Sequence, residues 1–163
     1  KRNRGKKPRN PRRLEILTAR AARLAEKGMS DEMASVCREI VAIEPGAMDA
    51  VRFLAMWYCE REDFKTALPY LRQLGAAGEE GIGLPLTVAL EDAGELDEAL
   101  SAARDLVGAD NTEHVPYLCL GSTLNALGRP REAARTFAIA MHLNPSIREP
   151  DDTRPRFLSL IHI

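Results

Sequence analysis

The chain has 163 residues and a formal charge of −1, from 23 lysines and arginines against 24 aspartates and glutamates, and 45% of it is hydrophobic. That composition supplies the core of one ordinary domain and excludes a chain disordered throughout. No run approaches the ~20 uninterrupted apolar residues of a membrane-spanning helix, and no apolar segment follows the basic start as a secretion signal requires, so no membrane span is expected.

Charge is unevenly spread. Residues 1–13, from Lys1 to Arg13, hold eight lysines and arginines and no acid, whereas residues 14–147 hold 12 basic against 21 acidic residues. Without apolar residues, 1–13 is expected to be a disordered basic arm. It reads as a solubilising linker, an arm touching nucleic acid, a stretch flanking a membrane helix or an internal ligand for the acidic body. No aromatic residue interleaves the charges, which argues against sequence-specific nucleic-acid recognition and leaves non-specific phosphate contact.

Helical periodicity begins at Leu14. Leu17, Ala21 and Leu24 form one stripe before Gly28, and a second helix, with Ser30 as the expected cap ahead of Asp31 and Glu32, runs through Ile40 toward Pro45. The second unit places Val51, Leu54, Ala55 and Tyr58 on one face, Asp63 as a cap before Phe64, and Ala67, Leu71 and Leu74 on the following helix. In the third, Leu86 and Leu90 precede Gly94, and Ala99, Ala103 and Leu106 follow. Gly75, Gly78, Gly81 and Gly83 crowd its entrance, and Pro85 lies inside the expected helix, which predicts a hinge or a shortened helix. The fourth, with Thr112 as the expected cap before Glu113, runs through Tyr117, Leu120, Gly121 and Leu124 to Gly128, then Ala133, Phe137, Ala140 and Pro145.

These units repeat. Gly28, Gly94 and Gly128 are spaced by 66 and 34 residues, and Met33, Ala67, Ala99 and Ala133 step by 34, 32 and 34. Glu62 stands where the fourth glycine would fall, at a helix end where a left-handed conformation favours glycine. Four helical hairpins of about 34 residues cover roughly 14–47, 48–79, 80–113 and 114–147.

With Tyr117, Leu120-Gly121, Leu124, Ala133, Phe137, Ala140 and Pro145 at the family spacing, the fourth unit resembles the tetratricopeptide repeat, and the other three follow it less closely across residues 14–147. The second unit lacks the closing proline. The third carries Gly83 and Thr87 where a bulky and a small residue are usual. The resemblance implies an all-α protein, a right-handed α-solenoid of four hairpins whose small residues, Ala21, Ala55, Gly121, Ala67, Ala99 and Ala133, let helices approach closely.

The resemblance also implies a binding surface, the inner face of each first helix, turned toward the concavity. The expected stripes are Glu15, Thr18, Ala22 and Ala25; Asp49, Arg52, Met56 and Cys59; Leu84, Val88 and Glu91; and Val115, Leu118, Ser122 and Asn125, each on one helical face. A peptide or short helix of a protein partner is expected there. Met56, Leu84, Val88 and Leu118 would supply apolar pockets, Arg52 and Asn125 would fix the ligand backbone or a carboxylate, and Glu15, Asp49 and Glu91 would favour a basic-apolar ligand. Chaperone-adaptor members hold an acidic client tail with a basic and amide clamp on these stripes. Thr18, Ala22 and Met56 stand in its places, so an acidic chaperone tail is disfavoured. A vestigial groove on a spacer or oligomerisation element is the competing reading.

No pattern for catalysis, cofactor or metal stands out. His114, His142 and His162 are scattered, and Gly78-Glu-Glu-Gly-Ile-Gly83 follows no strand and lacks the Lys-Ser/Thr of a nucleotide loop. The carboxylate pairs Glu79-Glu80, Glu91-Asp92 and Asp97-Glu98 read as solvated helix ends. Cys37, Cys59 and Cys119 are an odd, widely spaced set, with Cys59 and Cys119 near packing faces, which suggests small hydrophobes in a reducing, cytoplasmic setting. Residues 148–163 read as an irregular, truncated or non-native tail. Its last six residues are either adapter-derived or an ordinary apolar terminus, and Phe157 and Leu158 are candidate plugs for an exposed edge. A starting Lys and the lack of a closing helix suggest a fragment, such as the non-catalytic amino-terminal module of a larger bacterial hydroxylase, sulfotransferase or glycosyltransferase.

Overall fold

The computed structural model describes residues 10–147, so the tail from 148, with Phe157 and Leu158, and most of the basic arm lie outside the described residues. Helices α1 (Pro11–Glu26), α2 (Ser30–Ile43), α3 (Met48–Glu60), α4 (Phe64–Ala76), α5 (Gly83–Asp92), α6 (Leu96–Ala109), α7 (His114–Ala126) and α8 (Pro130–Leu143) follow in order. Each packs on the next, and α5 also touches α7, so the first helices of the third and fourth hairpins stand side by side. This is a helical solenoid.

One turn chemistry closes four hairpins and the junction between the second and the third. Gly28, Glu62, Gly78, Gly94 and Gly128 all have φ between 57° and 78°. In each case the next residue's N–H reaches back to a carbonyl five positions earlier: Met29 to Leu24, Asp63 to Tyr58, Glu79 to Leu74, Glu95 to Leu90 and Arg129 to Leu124, at 2.9–3.1 Å. The left-handed residue is what lets that carbonyl find a donor. Glycine tolerates the conformation freely; Glu62 adopts it against the steric cost of its Cβ.

Two expected caps fall elsewhere. Ser30 is the first residue of α2, and its side chain caps nothing. Thr112 instead gives its N–H and its hydroxyl to Asp110, at 2.9 and 2.8 Å, and these bonds lower the Asp110 pKa; α7 starts only at His114. Asp63 does cap α4, accepting from the Thr66 N–H at 3.2 Å. The α1 helix opens with Asn10 as cap and Pro11 in its first turn, and Arg13 pairs with Glu39 of α2 at 3.0 Å, so the last residues assigned to the arm are helical. Pro69 lies inside α4. It and Lys65, whose carbonyl it leaves without a donor, are both exposed, so water can satisfy that group.

Val51, Leu54, Leu71, Leu74 and Leu90 are completely buried in a core that runs from α1 into α6. Truncating any one of the leucines to alanine would cost about 2–5 kcal/mol. A second, smaller cluster joins Leu100, Leu124 and Ala133, with Leu120, Leu127 and Phe137 packed against it. Ala55, Ala67 and Ala99 are fully buried and Ala133 is 2% exposed, as expected of residues where helices approach closely.

At the third unit the irregularity takes the form of a short helix. With ten residues, α5 is the shortest of the eight. Pro85 sits in its first turn, where the missing N–H would have had no helical partner. A Cβ on Gly83 would stand 2.8 Å from Leu106 Cδ2, so the small and large residues of this pair have exchanged helices, and Leu106 of α6 fills the place a bulky first-helix residue would take. Thr87 is fully buried and donates its hydroxyl to the Gly83 carbonyl at 2.9 Å. Gly121 makes the same kind of approach to Phe137.

Candidate functional site

The four expected stripes differ in what the fold makes of them. On α1, Glu15, Thr18 and Ala22 are exposed and, with Leu14 and Ala19, line a shallow open depression. Thr18 spends its hydroxyl on the Leu14 carbonyl at 2.9 Å, so its outward face is largely its methyl group. On α3, Asp49 and Arg52 are exposed, Met56 is partly buried and Cys59 is completely buried, which removes Cys59 from the surface set. Its thiol, desolvated and close to Glu60, is pushed up to about 11 and is inert packing.

Arg52 is already engaged. Its Nε donates to Glu79 Oε1 at 2.7 Å and its Nη1 to Asp49 Oδ1 at 3.3 Å. Glu79 lies just beyond α4, so the guanidinium braces the glycine-rich junction from α3. The bond with Glu79 raises the Arg52 pKa and lowers that of Glu79. Fixing a ligand backbone would therefore fall to the remaining N–H groups of Arg52.

The α5 and α7 stripes come together. Leu84, Val88, Glu91, Leu118 and Ser122 are all partly buried, and Asn125 is exposed. Ser122 donates its hydroxyl to Glu91 Oε2 at 3.0 Å. Thr123, fully buried, donates to the other carboxylate oxygen while also contacting the Cys119 carbonyl at 3.0 Å. Burial pushes the Glu91 carboxyl above its ordinary range, and the two hydroxyls pull it partly back. The Cys119 thiol beside it is pushed up to about 12 by burial first and by Glu91 second. Glu91 is thus no solvated helix-end acid. It and Asp92 are the last two residues of α5, at the end of the helix where the backbone dipole disfavours negative charge.

Stripe arithmetic missed Thr123, Thr87 and Glu79. The adjacent hydroxyls of Ser122-Thr123, in the otherwise apolar run Leu118 to Leu124, were the available signal. Outside the stripes, Arg61 stacks 3.9 Å from the Trp57 ring centroid and pairs with Asp31, and Arg38 donates to the Tyr58 hydroxyl at 3.1 Å. These tie the second hairpin to the first. His114 Nε2 lies 3.2 Å from Asn144 Nδ2, joining the start of α7 to the end of α8.

No helix among the described residues is long and apolar enough to cross a membrane. No family model and no curated protein matches the sequence. Solved structures do. MamA MSR-1 is 20% identical with a TM-score of 0.68, over 83% of this chain and 79% of that one. MamA from Desulfovibrio magneticus RS-1, residue 41 to its end, is 22% identical with a TM-score of 0.64, over 83% and 78%. YrrB, described as a TPR protein with an unusual peptide-binding site, is 19% identical with a TM-score of 0.68, over 91% and 73%. At these identities the likeness concerns architecture: the chain has the α-solenoid fold of tetratricopeptide-type helical hairpins.

Proposed function

We propose that the chain is a protein-interaction scaffold that holds a peptide or short helix of a partner along the face formed by α1, α3, α5 and α7. The observation that carries this reading is the bridge from Glu91 to Ser122 and Thr123, which brings two first helices side by side and leaves Leu84, Val88 and Leu118 partly exposed along them. Such a surface offers apolar pockets flanked by a carboxylate, the arrangement that recognises a basic-apolar segment by its side chains. YrrB, a solenoid of similar fold, is described as having an unusual peptide-binding site, which supports a peptide as the occupant. Arg52 stays with Asp49 and Glu79, and Glu15 and Asp49 extend the acidic character of the face.

The test is an array of basic-apolar, acidic and neutral peptides probed with the wild-type chain and with a Met56→Lys, Leu118→Lys variant of unchanged helicity by circular dichroism. Wild type should retain the basic-apolar members and the variant should lose them. Equal retention by both proteins would exclude this face.

A further inference from the structure

We propose that Glu91 is the specificity-determining residue of this face, taking the arginine or lysine side chain of an extended partner segment whose neighbouring residues are apolar. The inference rests on the groove reading above and adds the chemistry of its occupant.

Three features make Glu91 hard to explain by packing. It sits at the C-terminal end of α5, where the helix dipole opposes a negative charge. It is desolvated against α7, where only hydroxyls meet it: Ser122 on Oε2 and Thr123 on Oε1. Among the described residues, no ion pair includes it. The groups that meet it are Ser122 and Thr123 of α7, with the Cys119 thiol close by, all formally neutral. A half-buried carboxylate without a counter-charge weakens the fold that holds it, and a glutamine or an apolar residue of similar volume would pack there with less cost.

A cation from outside supplies the missing counter-charge and offsets the costs of burial and of the helix dipole. Each carboxylate oxygen accepts one hydroxyl and keeps a second acceptor site, so a guanidinium fork can lie across both oxygens while Ser122 and Thr123 hold the carboxylate in place. Val88 stands one turn before Glu91, and Leu84 one further turn back; Leu118 stands one turn before Ser122 on α7. The cation is therefore flanked on two helices by apolar side chains that are only partly covered. A ligand with leucine-like residues next to its arginine or lysine covers this apolar surface and meets the charge at once. An acidic segment would place a second carboxylate against an uncompensated one.

The experiment uses two peptides, Ac-Ser-Leu-Arg-Leu-Ser-NH2 and its counterpart with citrulline, which has the shape of arginine without the charge. Both are titrated into the 163-residue chain, into Glu91→Gln and into Asp105→Asn, a change of the same charge on exposed α6 surface, with backbone amide shifts as the readout. In wild type the arginine peptide should shift Val88, Glu91, Leu118 and Ser122 and bind at least about tenfold more tightly than the citrulline peptide. In Glu91→Gln the preference should shrink to about twofold or less, while Asp105→Asn keeps it. Equal binding of the two peptides by wild type, or a preference that survives Glu91→Gln, would overturn the assignment to Glu91 and leave the groove standing. If neither peptide moves the concave residues at millimolar concentration, the groove reading itself fails and takes this one with it.

Discussion

Replacing Glu62 with glycine should make the protein more stable, although it removes a side chain and adds nothing. Glu62 has φ 57°, in the company of Gly28, Gly78, Gly94 and Gly128 at 67° to 78°. A side chain in the left-handed region costs roughly 1–2 kcal/mol through the clash of Cβ with the following carbonyl. Glycine lowers that cost but gives the unfolded chain more freedom, worth about 0.4–1 kcal/mol in the opposite direction. The Glu62 side chain is exposed and makes no hydrogen bond or ion pair among the described residues, so no contact is lost. Its backbone bonds, Glu62 N–H to Cys59 and Asp63 N–H to Tyr58, are retained. The net gain is about 0.5–1 kcal/mol, or ~1–4 °C in Tm for a chain of this size. The reciprocal exchange, Gly94→Ala, reverses the same two terms: its φ is 78° and an added Cβ would meet nothing within 4 Å, so no contact is gained or lost. It should lower Tm by a similar amount. Thermal melts and urea titrations of both variants provide the measurement. A Glu62→Gly protein no more stable than wild type, with an unaltered m-value, would refute the account of how these hairpins close.

Gly121→Ala should destabilise by about 1–3 kcal/mol, because its Cβ would stand 2.4 Å from Phe137 Cε1, and the added change Phe137→Leu should recover part of the loss in a thermal melt. Glu91→Gln should be more stable than wild type at neutral pH. The folded-state pKa of Glu91 is raised above its ordinary value of 4.5, so this group's stabilising contribution is complete below the ordinary value and is lost as pH rises through the folded one. Urea midpoints of the two proteins should therefore coincide in acid and separate as pH rises, and an advantage confined to low pH would contradict the burial argument. The thiols of Cys59 and Cys119, pushed up to about 11 and about 12, and of Cys37, also raised by burial, should resist a thiol-reactive dye in the folded protein near pH 8 and all react once denaturant unfolds it.

The parts of the fold that were readable in advance are those where one residue type answers one backbone demand. Gly28, Gly94 and Gly128 mark left-handed helix ends because little else sits there without strain, and the proline at 45 follows a helix that ends at Ile43. Alanine at 55, 67 and 99 marks close approach because a larger side chain would keep the helices apart. Caps were less readable. Ser30 and Thr112 have the right chemistry, but the turn at Gly28 starts α2 at Ser30 itself, and Thr112 spends its N–H and hydroxyl on Asp110 before α7 begins. For the candidate site, stripe arithmetic placed residues on a face without saying how close the next first helix stands. That distance decided the roles: Glu91 became a partly buried acceptor of α7 hydroxyls, Arg52 a brace for Glu79, and Cys59 core.

The most irregular hairpin is also the one that builds the charged part of the candidate site. Gly83 lets Leu106 press into the start of α5, and Thr87 returns its hydroxyl to the Gly83 carbonyl, so the shortened helix is seated against α6 and packing accounts for Gly83. The same helix touches α7, with Glu91 in its last turn held by two hydroxyls. In a solenoid, turn closures and small residues recur because every hairpin must meet the same stacking demand. A residue that breaks the pattern and is disfavoured by dipole and desolvation together answers some other demand. Leu106 facing Gly83 conserves the volume of the small-large pair and can be explained by packing alone. Glu91 has only the two α7 hydroxyls to offset its burial, and the proposed arginine or lysine of a partner would supply the charge they lack.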